Sequence, residues 1–277
     1  MVKLVILFIF VSCTDLILND SSGYNSIQLN GNAWIHITND LTNDNDISII
    51  DDEFTLEFWF TGGNSGMAES SCLVSIIEPN GSIEFGIFKD PSTPNILDFW
   101  LEDTRLESIS LDLDLNNASN FHHIAITSNE NIQIYINGQS VKTYSGVSIN
   151  INDNDLVIGG KVNRELSVLG NFWIGNFDEM RLWGTILNES IIDYHVKNPN
   201  KLVLISEDEN GNKWWETTPL IGLWRFQFSE NHTSPIIPDE SCEILNNMYS
   251  YTASCTQYNA TIYTLNNNVA NFSEKHP

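Results

Sequence analysis

"FHHIAITSNENIQIYINGQSV", residues Phe121 to Val141, reads as two short strands, each followed by a turn. Ser128-Asn129-Glu130-Asn131 is the polar break between them. Ile132, Ile134 and Ile136 alternate with Gln133, Tyr135 and Asn137, so one face of the second strand is apolar. Asn137-Gly138 then supplies the positive φ angles that a tight hairpin turn demands. His122 and His123 are adjacent, and a strand sends neighbours to opposite faces. They cannot form a simple two-ligand pair, and both read as structural.

The same grammar runs outward in both directions. "NSIQLNGNAWIHI" (25–37), "FTLEFWF" (54–60), "CLVSII" (72–77), "SIEFGIF" (82–88), "ILDFWLE" (96–102) and "SISLDLDL" (108–115) precede it. "DLVIGG" (155–160) and "NFWIGNFDEMRLWG" (171–184) follow. Short strands at this spacing, broken by Gly, Asn, Asp and Pro, predict an all-β, two-sheet antiparallel sandwich of jelly-roll type. One stretch, "ILNESIIDYHVKN" (186–198), has helical spacing, with Ile191, Ile192 and His195 on one face and Asn188 placed to cap it.

Composition narrows the function classes. Hydrophobic residues make up 42% of the 277, enough for a packed core. A formal net charge of -24, from 36 acidic and 12 basic residues, argues against nucleic acid as a partner, because phosphate binding needs clustered Lys and Arg. Residues 1–12, "MVKLVILFIFVS", fit a secretory signal peptide: one Lys, then an apolar run too short to span a bilayer. Phe10-Val11-Ser12-Cys13 resembles the lipobox of bacterial lipoproteins, with Phe10 where Leu is usual. That resemblance implies lipidation at Cys13, a tether over residues 13–24, and a membrane-anchored lipoprotein exported to the cell envelope or cell surface. Ordinary signal cleavage nearby is the alternative.

Export permits disulfides. With Cys13 lipidated, Cys242 and Cys255 pair naturally across a short loop, worth about 3 kcal/mol in the entropy model. Cys72 then reads as a free buried thiol.

The order of motifs is more specific than any one of them. "IQLNGNAWIHI", "FTLEFWF", the opening stretch, "LVIGG" and "GNFDEMRLWGTILNESII" together resemble the laminin-G-like, concanavalin A-type jelly-roll family over residues 25–197. Phe121 stands where that family usually carries Trp. Residues 198–277 hold further strand patterns and the disulfide loop. They read as strands added to the same sandwich, because about 75 residues make a marginal core alone. A stub of a second module is the other reading.

The resemblance implies two kinds of site. In related sandwiches an Asp on the final strand and carbonyls near the first strand hold a structural Ca²⁺. Here Asp178 and Gly31 or Asn32 occupy those positions, and hard cations take such oxygens. Otherwise Asp178 caps a loop or pairs with Arg181. Trp214 and Trp215 form a candidate sugar-stacking platform, whereas Trp100, Trp173 and Trp183 read as core. The glucanase pattern of three spaced acids on one strand is missing: Glu102–Glu107 lacks the middle acid. Asp112, Asp114 and Asn116 read as the exposed face of a strand backed by Leu111, Leu113 and Leu115. The expectation is therefore a non-catalytic, exported recognition module for glycan or surface-protein ligands. The alternative is a structural or adhesion lipoprotein of the envelope without sugar affinity.

Overall fold

The computed structural model describes residues 13–17, 26–31, 33–38, 53–62, 70–152, 154–162, 168–199, 201–205, 220–225, 236–237, 259–264 and 271–273. In chain order the strands are β1 Cys13–Ile17, β2 Ser26–Asn30, β3 Ala33–Thr38, β4 Phe54–Thr61, β5 Ser71–Ile77, β6 Ile83–Lys89 and β7 Ile96–Leu101. They continue as β8 Thr104–Ser110, β9 Phe121–Ser128, β10 Asn131–Ile136, β11 Gln139–Ser145, β12 Asp155–Ile158, β13 Lys161–Val162, β14 Val168–Gly170 and β15 Ile174–Trp183. After helix α1, Glu189–Lys197, come β16 Lys201–Ile205, β17 Leu220–Trp224, β18 Ile236–Ile237, β19 Asn259–Thr264 and β20 Asn271–Ser273.

Two antiparallel sheets carry the fold. The first runs β11-β10-β9-β4-β15-β2-β20, with β17 also on β15; the second runs β18-β19-β3-β12-β5-β6-β7-β8. Alternation decides what meets between them. Leu56, Phe58 and Phe60 of β4, Ile124 and Ile126 of β9, and Ile132, Ile134 and Ile136 of β10 enter one core. They meet Ile35, Leu73, Phe85, Ile87, Phe99 and Leu156 from the second sheet. Strands β9 and β10 pair in register from Ser128 with Ile132 to Ile124 with Ile136. Asn137 (φ 49) and Gly138 (φ 81) make the following turn, as the pattern required.

The segment 111–117 departs from expectation. β8 stops at Ser110, and the chain beyond it turns instead of continuing as a strand. Leu111 N–H donates to the Asn95 carbonyl and Leu115 N–H to that of Pro94, which binds the segment to the β6–β7 loop. Leu111 and Leu115 are thereby turned into the core. Asp114 uses its carboxylate to accept the Asn116 N–H within a turn. Asp112, Asp114 and Asn116 therefore share no strand face.

Strands near both ends of the chain are paired as well, β1 with β16 in a separate two-stranded sheet. Residues 13–17, inside the segment expected as a tether, form β1 and pair with β16 from Cys13–Ile205 to Ile17–Lys201. From the C-terminal region, β19 pairs with β3, β20 with β2 and β17 with β15.

Candidate functional site

Helix α1 covers the outer face of the first sheet over β9, β10 and β15. Asn188 caps the helix, its side chain accepting the Ile191 N–H at 3.0 Å. Ile191 and Ile192 pack with Leu187, Leu220 and Leu223 onto Ala125, Tyr135 and Trp183. His195, on the same side of the helix, is driven under it.

Beneath α1 lies a sealed polar cluster. Register places Glu57 on β4 beside Ala125 of β9 and Arg181 of β15. Its Oε1 lies 2.8 Å from Nδ1 of His195 and 3.5 Å from Nη1 of Arg181, and accepts the Trp183 indole N–H at 3.0 Å. Its Oε2 lies 3.2 Å from Nε2 of His123. The His195 and Trp183 rings stack at 5.6 Å. Arg181 also lies 3.3 Å from Glu179 and donates to the Pro199 carbonyl just past the helix; Arg225 meets Glu179 at 3.2 Å. Glu57, Glu179 and Arg181 are at most 1% exposed.

Burial pushes the Glu57 carboxyl up. The His195 charge, the hydrogen bonds from His123 and His195 and the Arg181 guanidinium outweigh it and hold Glu57 well below the usual carboxylate range. Burial pushes His123 down, against the opposing pull of Glu57. The cluster is a lock between helix and sheet. Its two glutamates are spent on cationic partners out of reach of solvent.

Asp178 sits beside this lock. A bulge between Asp178 and Arg181 inserts an extra residue, and Glu179 takes φ 47. Asp178 Oδ1 accepts the Glu179 N–H at 2.8 Å, and the residue is buried. Its role here is to cap the bulge; Arg181 pairs with Glu57 and Glu179. Gly31 is held elsewhere: its N–H donates to the Trp173 carbonyl, five residues from Asp178 and about 16 Å along the strand. Asp178 and Gly31 thus stand apart along the strand. Among the described residues no group of three or more His, Cys, Asp or Glu is placed to hold a metal ion. Asn32, Trp214, Trp215, Cys242 and Cys255 lie outside the described residues, as does the side chain of Cys13. Cys72 is free and buried, with burial pushing its thiol up to about 12.

His122 and His123 do face opposite ways. His122 meets Phe60, and His123 meets Glu57 and the edge of Trp59. Trp173 and Trp183 are core, as read from the sequence. Trp100 is not: it is part-exposed on the outer face of the second sheet.

That second outer face is divided. On β3 and β12, Phe172 stacks over Trp34 at 5.6 Å and packs with Val157. On β5 and β6, Cys72, Ile77, Ile83 and Phe88 form a small apolar cluster, with Trp100 of β7 at its margin. Phe88 and Trp100 meet edge-to-face at 6.0 Å. Asp98, two residues from Trp100 on β7, accepts the Ser108 hydroxyl at 2.5 Å and lies 3.6 Å from Arg105. The half-exposed Arg105 is the register partner of Trp100. A bulge between Phe99 and Trp100 leaves Leu106 without a partner and exposed, which turns Arg105 and Ser108 to one face. No simple alternation of "TRLESIS" could have put them together.

No curated protein matches this chain. Among solved structures, the pentraxin of Limulus polyphemus, a heptameric SAP-like protein, is similar at 12% identity over 60% of this chain and 82% of its own, with a TM-score of 0.42. A protein of Bacteroides ovatus assigned to carbohydrate binding is similar at 14% identity over 89% of this chain, with a TM-score of 0.49; the chain spans 60% of that protein's length. The CBM40 of a Ruminococcus gnavus IT-sialidase, solved with α2,3-sialyllactose, is similar at 11% identity over 62% of this chain and 96% of its own, with a TM-score of 0.47. A family model matches residues 29–193, more than half of the sequence and most of both sheets, and by that match the chain belongs to the concanavalin A-like lectin/glucanase superfamily.

Proposed function

We infer that the protein is a non-catalytic recognition module for glycan or surface-protein ligands, exported and held to the membrane by lipid at Cys13. The observation that carries this reading is where the acids are. Glu57 and Glu179, brought together by neighbouring strands, are ion-paired and sealed beneath α1. Glycoside hydrolysis needs two carboxyls that reach a substrate. A superfamily of lectins and glucanases offers both binding and cleavage, and sealed acids favour binding. With α1 over β9, β10 and β15 of the first sheet, the second sheet and the loops are the favoured places for ligand contact. The signal-like residues 1–12 and the sequence before Cys13 support export and anchoring.

Two experiments test this. Metabolic labelling with a fatty acid should mark the protein in the membrane fraction, and Cys13→Ser should remove the label; equal labelling of both would sink the anchor. Soluble protein should be retained by an immobilised glycan or surface protein without changing it. Release of reducing sugar from a retained polysaccharide would instead make it an enzyme.

A further inference from the structure

We propose that Trp100, Asp98 and Arg105 form a binding subsite for one ring of a neutral glycan on the outer face of β6 to β8. This rests on the recognition reading above and gives it a place and a ligand class.

Trp100 carries the apolar half of the chemistry. A pyranose ring has an apolar face of C–H groups that suits an indole. Trp100 is part-exposed, and Phe88 beside it on β6, at 6.0 Å, limits its freedom to turn. An aromatic held in place before the ligand arrives loses less entropy on binding. Polar groups stand beside it. Arg105 projects a planar row of donors from an exposed side chain, and the carboxylate of the buried Asp98, 3.6 Å away, holds it and leaves only its margin open to a hydroxyl. Neighbouring sugar hydroxyls donate and accept at once, so a paired Arg and Asp match them as a bare charge does not. Ser108 fixes the Asp98 carboxylate from the other side.

The hairpin beneath is pinned. β7 and β8 are joined through Glu102 (φ 46) and Asp103 (φ 55), a two-residue turn with both φ angles positive and no glycine. Such residues hold that conformation only where their surroundings enforce it. Here Glu102 N–H donates to the Glu84 carbonyl, Asp103 N–H donates to the Ile83 carbonyl, and the Asp103 carboxylate accepts the Ile83 N–H. The turn fixes the register that sets Trp100 opposite Arg105.

Charge selects among glycans. Arg105 is balanced by Asp98, and the adjoining turn presents the exposed acids Glu102 and Asp103. Burial pushes the half-buried Glu84 up, and its acidic neighbours Glu78 and Glu102 add to the rise. With a net charge of -24 on the whole chain, an anionic sugar is repelled and a neutral one is not.

The test is affinity electrophoresis of the full chain in gels containing soluble β-1,3-glucan, galactomannan or xylan, with polygalacturonate as the anionic probe. Wild type should be retarded by at least one neutral polysaccharide and not by polygalacturonate. Trp100→Ala should weaken that binding on the order of tenfold. Arg105→Gln, at an exposed position, should weaken it while leaving the melting temperature unchanged. Trp100→Phe should keep part of the affinity. Undiminished binding in both Arg105→Gln and Trp100→Ala overturns the subsite and leaves the recognition reading intact. Retardation by polygalacturonate alone overturns the ligand class. No retardation by any neutral polysaccharide overturns the inference, and the wider reading then stands or falls on capture of a protein ligand.

Discussion

Glu57 shows how much one residue can hold. Two histidines, an arginine and an indole converge on its carboxylate, and none has water to fall back on. Removing one partner of a buried ion pair leaves the other charged and undermatched, here the Arg181 guanidinium, which costs about 3–5 kcal/mol. Glu57→Ala should therefore lower the melting temperature on the order of 10 °C, read by circular dichroism at pH 7.5. A drop of only a degree or two would mean that water replaces the carboxylate. Asp178 invites a milder version of the same test. Asp178→Ala strips the acceptor from the Glu179 N–H and should cost about 1–3 kcal/mol. That loss should be equal in calcium and in chelator. A loss seen only with calcium present would restore a metal at this residue.

At the scale of elements, α1 stands on its cap and its lock. Asn188→Ala should cost about 1 kcal/mol in thermal unfolding. No loss would show that packing alone holds the helix. This element was legible in advance, because "LNESIIDYHVK" states a cap and an apolar face in local sequence. The strands were legible for the same reason: alternation is a local signal. What the pattern missed was set by distant partners. "SLDLDL" alternates as a strand does, yet Leu111 and Leu115 are captured by the carbonyls of Asn95 and Pro94, and the segment turns. Trp100 reads as core because nothing local says which side of β7 is covered. The face that carries Arg105 with Asp98 depends on a bulge at Leu106, and one extra residue defeats period-two reading. The helix-to-sheet lock was half visible. "FTLEFWF" and "DEMRLW" each show a charge among apolar residues, a mark of buried pairing, but the two meet only through the pairing of β4 and β15.

At the scale of the molecule, pH acts through these buried groups in two windows. Burial holds His122 and His123 below the ordinary histidine value, so in the pH range under about 6.5 the unfolded chain takes protons first. Stability is full above that value and declines as pH falls through it. Glu57, held low in the fold, contributes stability above about 4.5 and loses it as pH falls through its folded value. Urea midpoints should thus fall between pH 7 and 5.5, and fall again below 4.5; a flat profile down to pH 5 would show that the histidines are not what titrates. The pairing of Ser26 with Ser273, and of Ala33 with Thr264, has another consequence. A chain delivered N-terminus first presents β2 and β3 long before β19 and β20 exist to cover them. Both sheets then wait with an open edge, one that recruits strands from any neighbour. Strands β19 and β20 act as a closing clasp, and a chain that loses them should aggregate while it is being made even if its finished core would hold.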